Sequence, residues 1–353
     1  MFIDEQKAEV GPGKNFSVIA LQRKIFARSN FRLLFINKQS LNYTRDSTKP
    51  LYSLYNRNIG AEYNLASSNN AWTGKLMFLK SFTPGKNTNS FTHAANLQYS
   101  SRHWLLLWQH EYVGKNYSAE VGYVPRANYI KLSPNASYLF FPAKKGIILS
   151  HGPKYFGTYY YNTSFKKTDN ENILLYIFNL RDQSVFDVWA GNDYVQLLQP
   201  FDPTNSNKDT LARGTVHRWK ALGVEFFSKP QKLFTYTVTT RFGGYYANGT
   251  RYNINIDLGY RFQPYVGITL STVYNRIHLP SPWNNTTFWL IGPRIDITFT
   301  NKLFVTTFIQ YNDQQKNINL NARLQWRYRP ASDLFLVYTD NYYTSPLLDK
   351  EKI

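Results

Sequence analysis

The segment Asn317-Ile-Asn-Leu-Asn-Ala-Arg-Leu-Gln-Trp-Arg-Tyr-Arg329 decides the fold of this chain. Its residues alternate without a break between polar and apolar side chains, and only a β-strand uses a period of two. The apolar positions are Ile318, Leu320, Ala322, Leu324, Trp326 and Tyr328. At about 3.3 Å per residue the strand would be roughly 40 Å long, which is far longer than the ordinary globular strand of about 5–6 residues.

The same alternation recurs along the rest of the chain. It is clearest in residues 233–242, 251–262 and 266–274. Further candidate strands lie near 15–27, 30–37, 55–66, 72–82, 90–101, 103–114, 117–124, 135–142, 145–162, 171–181, 184–196, 215–228, 285–300, 302–313 and 333–343. Turn signals such as Pro84-Gly85 and Asn248-Gly249 separate neighbouring strands. The pattern predicts an antiparallel meander of about 19 strands, without a useful helical window or an internal domain boundary.

Strand length and aromatic placement distinguish a membrane barrel from a soluble sandwich or propeller. Propeller blades use short strands with a repeat of about 40–50 residues, and no such repeat is visible. Membrane barrel strands need about 9–11 residues and carry aromatic side chains near the interfaces, and Trp and Tyr cluster near the predicted strand ends. We therefore predict an all-β, antiparallel up-and-down transmembrane β-barrel of about 16–20 strands, located in the cell outer membrane.

The predicted barrel has an apolar side and a polar side. Residues expected to face lipid are Val238, Ile254, Ile256, Leu258, Ile318, Leu320 and Leu324. The opposite parity supplies Asn, Thr, Gln and Arg, which would line a wet interior. A sandwich core built from that parity would leave many polar groups without partners.

The composition excludes several classes of protein. Aromatic residues make up 17% of the 353 residues, which argues against a disordered chain, and the absence of Cys excludes disulfide and cysteine–metal scaffolds. Lys and Arg total 41 against 22 Asp and Glu, so the formal net charge is +19. These basic residues are spread along the chain rather than clustered, which disfavours nucleic acid as a partner and fits a positively lined cavity or pore.

Two further motifs carry a family resemblance. They are Leu21-Gln-Arg-Lys-Ile-Phe-Ala-Arg-Ser-Asn30 with Phe35-Ile-Asn-Lys-Gln39, and the longer Asn321-Ala-Arg-Leu-Gln-Trp-Arg-Tyr-Arg-Pro-Ala-Ser-Asp-Leu-Phe-Leu-Val-Tyr-Thr-Asp-Asn-Tyr342. Both resemble outer-membrane barrel proteins of Bacteroidota that carry a carbohydrate-binding-family-9-like domain ahead of the barrel. The resemblance covers only the barrel portion of that family. Because the family has no established molecular function, the resemblance implies no catalytic residues.

The resemblance also sets an expectation for the two ends. Residues 1–13 are predicted to form an N-terminal segment and residues 14–353 a partial barrel. Residues 1–10 contain Asp4, Glu5 and Glu9 and no apolar core for export, and the chain stops after Leu347-Leu-Asp-Lys-Glu-Lys-Ile353. We therefore expect a barrel that lacks the family's front domain, its first strands and its last strand.

The search for enzyme motifs predicts no catalytic, cofactor-binding or metal-binding residues and no cofactor. The chain has no Gly-x-Ser-x-Gly elbow and no His-Glu-x-x-His helix, and Gly11-Pro-Gly-Lys14 reads as a simple turn. Glu111, Glu225 and Asp257 are candidates for acid/base work inside a barrel. The alternative is that these carboxylates pair structurally with the many Arg.

The most informative polar positions are the arginines in the alternating strands. The predicted interior contacts for a solute are Arg241, Arg251, Asn255, Asp257, Arg261, Asn319, Arg323 and Arg327. Guanidinium groups bind carboxylates and phosphates bidentately, and rings of Arg favour anions in pores. In the alternative interpretation these arginines pair with loop acids or face lipopolysaccharide phosphates at the rim.

Three functions remain open from the sequence. The leading one is an outer-membrane transport or channel module with an Arg-rich interior and an anionic or glycan-type solute. The others are a barrel-associated hydrolase and a structural anchor for a glycan-binding-like periplasmic domain. The expected partners are membrane lipid, lipopolysaccharide, such a solute and the chain's own front domain, and no nucleic acid.

Overall fold

The computed structural model describes residues 12–42, 53–86, 88–144, 146–206 and 209–344. Within these residues the chain forms 19 β-strands in one antiparallel, up-and-down sheet, which confirms the predicted fold class and strand number. The strands are β1 Gly13–Ile25, β2 Ser29–Leu41, β3 Tyr55–Ala66, β4 Trp72–Phe82, β5 Phe91–Ser100, β6 Trp104–Val113, β7 Tyr129–Leu132, β8 Asn135–Tyr138, β9 Ile148–Tyr161, β10 Lys167–Leu180, β11 Val185–Gln196, β12 Val216–Phe227, β13 Phe234–Gly244, β14 Thr250–Phe262, β15 Val266–His278, β16 Thr286–Thr300, β17 Leu303–Asn312, β18 Asn317–Arg329 and β19 Ser332–Tyr343.

The strands are long, as the alternating pattern predicts. Apart from β7 and β8, which have four residues each, every strand has between 10 and 15 residues. The described residues contain one helical element, a 3-10 turn at Tyr246–Asn248. None of the helical structure in the described part of the chain is long and apolar enough to span a membrane.

The chain divides into two compact units. Unit 1 comprises Met1–Ser137 and Phe156–Asn170, and unit 2 comprises Tyr138–Tyr155 and Glu171–Ile353. In unit 1 each strand from β1 to β7 pairs with the next one along the chain. In unit 2 the same holds from β11 to β19. Local hairpin pairing therefore builds both units.

Connections in unit 2 differ in length at the two ends of its strands. The turns at 263–265, 301–302 and 330–331 hold two or three residues, and all lie at the same end because the strands alternate in direction. The longest connection of the unit, residues 197–215 between β11 and β12, lies at the other end. Short turns at one end and long loops at the other are typical of outer-membrane barrels.

One predicted strand is wrong and one strand was missed. Residues 117–124 form a loop, although Tyr117, Ala119 and Val121 alternate with polar or small residues. The missed strand is β7, which is followed by Ser133 and Pro134 and then by β8. Both β7 and β8 pair with β6, so they act as one strand that is interrupted where proline removes a backbone donor.

Burial is inverted relative to a soluble protein. Among the described residues, 19 buried side chains are polar or charged and eight are hydrophobic. The largest side chains that are fully buried are Asn56, Asn58, Ser81 and Ser90, whereas large apolar side chains are exposed, for example Leu21 at 65%. A sandwich core would bury the apolar parity instead.

The two faces follow the predicted parity. Of the residues expected to face lipid, Leu258 is exposed and the other six are half-buried by their neighbours along the sheet, and none is buried. On the other face, Asn253 and Asn275 lie opposite each other on β14 and β15 and are both buried. We call the two sides of each unit the apolar face and the polar face.

Strand β1 begins at Gly13, one residue before the predicted start of the barrel. The predicted features of the two termini, namely the absent export signal, the missing front domain and the missing last strand, concern residues 1–11 and 345–353. Those residues lie outside the described part of the chain.

Candidate functional site

The structure brings together most of the predicted solute contacts of unit 2. The ladder places Arg241 opposite Asn253, and Asn255 opposite Thr239, on the polar face of β13 and β14. Asp257 lies between Thr237 and Ser271 in the same face. Because residues directly opposite in an antiparallel ladder point to the same side, these strands form one continuous polar surface.

The guanidinium groups of two arginines lie near the same tyrosine ring at one end of this surface. The guanidinium carbons of Arg241 and Arg251 lie 5.8 Å and 5.5 Å from the centroid of the Tyr245 ring. The Nε and Nη2 atoms of Arg251 donate to Oδ1 of Asn275 at 3.2 and 2.9 Å. The Nη2 atom of Arg241 donates to the Gly244 carbonyl at 3.0 Å. Both side chains are therefore oriented by neutral acceptors.

Arg261 has a structural role at the opposite end of β14. Its Nη2 atom donates to the carbonyls of Pro230 and Lys232 at 2.7 and 2.6 Å. These carbonyls belong to the connection between β12 and β13. Arg261 thus fixes a turn through backbone carbonyls, which differ from the loop acids and lipopolysaccharide phosphates of the alternative interpretation.

The predicted contacts on β18 form a separate group. Arg327 makes an ion pair with Asp333 at 3.2 Å, so its charge is matched. The Arg323 guanidinium carbon lies 5.7 Å from the centroid of the Phe335 ring. Asn319 lies opposite Gln310 on β17 in the same ladder. Arg323 and Arg327 are both exposed, and among the described residues Arg323 makes no ion pair, so its positive charge stays on the polar face.

Unit 1 has a charged group that the sequence did not single out. Glu62 forms one ion pair with Lys75 at 2.6 Å and a second with Arg32 at 3.5 Å. A cavity of about 250 Å³ lies beside this group on the polar face. Its polar lining residues include Asn96, Gln109, Glu111, Lys131 and Ser133. These residues come from β5, β6, β7 and the connection after β7, and a single sequence does not show which strands are neighbours.

The connection between β6 and β7, residues 114–128, packs onto the polar face of unit 1. Tyr117 is buried together with Val113 and Tyr129, and Ala119 and Val124 pack against them. This small apolar cluster explains the alternation that predicted a strand at 117–124. Tyr117, Ala119 and Val124 contact this cluster without forming another strand, whereas Val121 is exposed. We call residues 114–128 the inner loop.

Polar contacts also hold the inner loop on the sheet. The Nδ2 atom of Asn56 donates to the Ser118 carbonyl at 2.9 Å and to Oγ1 of Thr83 at 2.8 Å. The Glu120 amide donates to Oδ1 of Asn56 at 3.0 Å. Asn56 is completely buried, so loss of these bonds would leave unsatisfied groups.

An ion pair completes the attachment of the inner loop. Lys38 Nζ lies 2.9 Å from Oε2 of Glu120, and Ser53 Oγ donates to Oε1 at 2.5 Å. Burial raises the pKa of Glu120, but the hydrogen bonds from Ser53 and Lys38 and the charge of Lys38 outweigh it. The pKa of the Glu120 carboxyl is therefore lowered from its ordinary value.

The 197–215 loop of unit 2 crosses the end of that unit. Phe201 and Leu211 form an isolated bridge within the loop, and Phe201 packs on Tyr246 with ring centroids 5.1 Å apart. Gln314, in the turn between β17 and β18, donates through Nε2 to the Thr204 carbonyl at 2.7 Å. The loop therefore reaches from β11 to a turn several strands away. We call residues 197–215 the cap loop.

The candidate carboxylates lie in different surroundings. Glu225 lies directly opposite Asp187, which is buried and whose Oδ1 atom has no hydrogen-bond partner. Glu111 lies opposite Lys131, and Asp257 has no acidic residue opposite it. The sequence missed Asp187 because its partner strand was unknown. Among the described residues no three His, Asp or Glu side chains gather as metal ligands.

No protein-family model matches this chain, and the comparisons with curated proteins and with solved structures found no match. The family resemblance carried by the two motifs therefore stays a prediction.

Proposed function

We propose that this chain is an outer-membrane β-barrel that conducts or transports polar solutes and prefers anions. The observation that carries the proposal is the inverted burial, in which polar side chains are buried and large apolar side chains are exposed. An exposed apolar face is costly in water and favourable in lipid. Strands of 10–15 residues and a long-loop end are compatible with the same location.

The charge of the polar face supports the preference for anions. Arg251 donates to the side-chain amide of Asn275, and Arg323 lies near the Phe335 ring. Neither guanidinium makes an ion pair within the described residues. Arginines inside a pore attract anions and repel cations. The inner loop packs on the polar face of unit 1, so it narrows the route that a solute can take.

The resemblance to outer-membrane barrel proteins of Bacteroidota supports the same location and the same membrane and lipopolysaccharide partners. It adds a periplasmic, glycan-binding-like front domain as a further partner. A barrel that conducts nothing and merely displays such a domain is the competing structural-anchor function.

The proposal is tested in planar lipid bilayers by measuring the reversal potential under a salt gradient. We expect a conductance with anion preference, and a smaller preference after Arg251→Gln and Arg323→Gln. Lys302→Gln is the matched control, because Lys302 is exposed in a turn. A cation preference contradicts the charge argument, and absence of any conductance supports the anchor function instead.

A barrel-associated hydrolase is the second candidate, and the facing pair Asp187 and Glu225 favours it. Side chains directly opposite in a ladder have Cβ atoms about 4.5–5.5 Å apart, so the two carboxyl groups, one and two bonds beyond Cβ, can reach the separation of about 5–5.5 Å that retaining glycosidases use. Hydrolysis of a glycoside that is lost in both Asp187→Asn and Glu225→Gln would establish this function. Activity that survives both substitutions would exclude this pair.

A further inference from the structure

Arg241 has an unused donor at a buried position. Its Nη1 atom is buried and has no hydrogen-bond partner, whereas Nη2 donates to the Gly244 carbonyl. A buried donor of a charged group without a partner is costly. The side chain is nevertheless held in place by its ladder position and by Tyr245. The free donor therefore marks a place where an acceptor is missing.

Arg251 adds a second positive charge at the same place. It lies opposite Gly243, two residues along β13 from Arg241, so no side chain separates the two arginines on that strand. Its amide partner Asn275 orients the guanidinium without neutralising it. The two like charges, both held near the Tyr245 ring, repel each other, and an anion that contacts both guanidinium groups relieves that repulsion.

Carboxylates of the protein do not fill this role. Asp193 and Glu171 lie within electrostatic range of Arg241, but within the described residues no ion pair shorter than 4 Å joins either arginine to an acid. Asp193 lies opposite Trp219 in the ladder. These acids reduce the net positive potential of the site, so binding has to come from directed hydrogen bonds as well as from charge.

Aromatic rings connect Tyr245 to the cap loop on one side of the two arginines. Trp219 packs on Tyr245 and Tyr246 with ring centroids 5.9 and 4.7 Å apart. Tyr246 in turn packs on Phe201 of the cap loop. These rings supply an apolar wall beside the two guanidinium groups. An organic anion can use both, whereas a small inorganic anion can use only the charges.

We propose that Arg241, Arg251 and Tyr245 form a binding site for the carboxylate of an organic solute. The carboxylate lies between the guanidinium groups and accepts a hydrogen bond from Arg241 Nη1, and the body of the solute contacts the aromatic wall. This inference deepens the proposed function, on which its biological meaning rests. The binding itself requires only the folded chain.

The test is titration calorimetry of the full chain in detergent micelles at low salt, with glucuronate as probe and glucose, which has a neutral hydroxymethyl group in place of the carboxylate, as the control sugar. We expect glucuronate to bind and glucose to give no signal. Arg241→Gln and Arg251→Gln should each weaken glucuronate binding about tenfold or more, because the first removes the charge-assisted hydrogen bond to the carboxylate and the second removes the other positive charge. Arg251→Lys keeps the charge and loses the planar fork, so it should also weaken binding.

Arg218→Gln is the matched control. Arg218 precedes Trp219 on β12 and therefore points to the opposite face, where it lies over Tyr194. Equal binding of glucose and glucuronate, or an equal loss in Arg218→Gln, overturns the site. Circular dichroism of each variant shows that it has folded. A chain that binds glucuronate but shows no conductance contradicts the pore and keeps the site, and the reverse result contradicts only the site.

Discussion

At the scale of single residues, Lys38 on β2 shows how a charged side chain is stabilised at a buried position. Its side chain is 3% exposed, and its ammonium group contacts the Ser53 carbonyl at 2.9 Å, Ser53 Oγ at 3.2 Å and the Glu120 carboxylate at 2.9 Å. A buried charge is tolerated only when it is paired and hydrogen-bonded. These contacts provide both conditions, and they couple β2 to the inner loop.

Glu120→Gln should therefore loosen the inner loop. Removing the carboxylate leaves Lys38 buried without its counter-ion, at a cost of about 1.5–3 kcal/mol. Hydrogen exchange of residues 114–128 at neutral pH should become at least tenfold faster. Asp313→Asn is the control, since it removes an exposed ion pair in a turn. Unchanged exchange in Glu120→Gln would show that the apolar cluster alone holds the loop.

The same pair predicts a pH dependence with a definite sign. Because the pKa of Glu120 is lowered in the folded chain, the pair stabilises the docked loop above the ordinary glutamate value of about 4.3. That stabilisation is lost as the pH falls through the lowered pKa. Hydrogen exchange should therefore show a docked loop at pH 5 and a released loop only in stronger acid. Release at pH 6 would contradict the assignment.

At the scale of the element, β18 contains both environments in adjacent residues. Leu320 belongs to the apolar parity and Asn321 to the polar parity, where Asn321 donates to Oγ1 of Thr339 at 2.8 Å. Such a strand has a single correct orientation, because a shift by one residue exchanges the faces. Its pattern alone was enough to predict its bounds, which the structure confirms as Asn317–Arg329.

Leu320→Arg and Asn321→Arg should differ sharply in vesicles. Arginine on the lipid side of a barrel costs about 2–4 kcal/mol at the bilayer midplane, whereas the same residue on the interior side is tolerated. Folding into vesicles, followed by denaturant titration, measures both costs. Loss of the Asn321 hydrogen bond adds about 1 kcal/mol to the second variant. Equal costs in the two variants would show that β18 does not separate lipid from water.

The inner loop marks the limit of what the sequence could predict at this scale. Tyr117, Ala119 and Val121 show the period of a strand, but the signal comes from a loop packed on a sheet. The strand β7 was missed because Pro134 and Ser133 interrupt a short segment. Local periodicity shows where apolar residues recur, and it shows neither which of them are buried nor what they pack against.

Across the whole described chain, the sequence predicted the fold better than the site. The fold follows from local alternation and hairpin turns, which one sequence displays. The site depends on which strands are neighbours and where side chains end. Arg241 and Arg251 were predicted on the polar face, but their common partner Tyr245 lies in a turn. Arg261 and Arg327 turned out to have nearby acceptors, which parity cannot indicate.

The absence of Cys allows a test of both faces throughout the molecule. Spin labels at Phe78→Cys and Leu258→Cys should collide mainly with oxygen dissolved in lipid, because both side chains are exposed on the apolar face. Labels at Met77→Cys and Asp257→Cys point to the polar face and should collide mainly with a water-soluble nickel complex. Phe78 and Met77 are neighbours on β4, and Leu258 and Asp257 are neighbours on β14, so each pair of neighbours compares the two faces at one place. Identical collision profiles within a pair would contradict a membrane boundary.

The attachment of the cap loop also bears on the order of folding. Gln314 and Thr204 are 110 residues apart in the chain, whereas the hairpins between them join residues a few positions apart. Closing a loop costs about 0.6 kcal/mol more for each doubling of its length. This cost becomes smaller once the intervening hairpins have formed, because they shorten the path between Gln314 and Thr204. We therefore expect the hydrogen bond between Gln314 and the Thr204 carbonyl to form more readily after β12 to β17 have assembled, so the far end of the cap loop should dock after its contact with Tyr246.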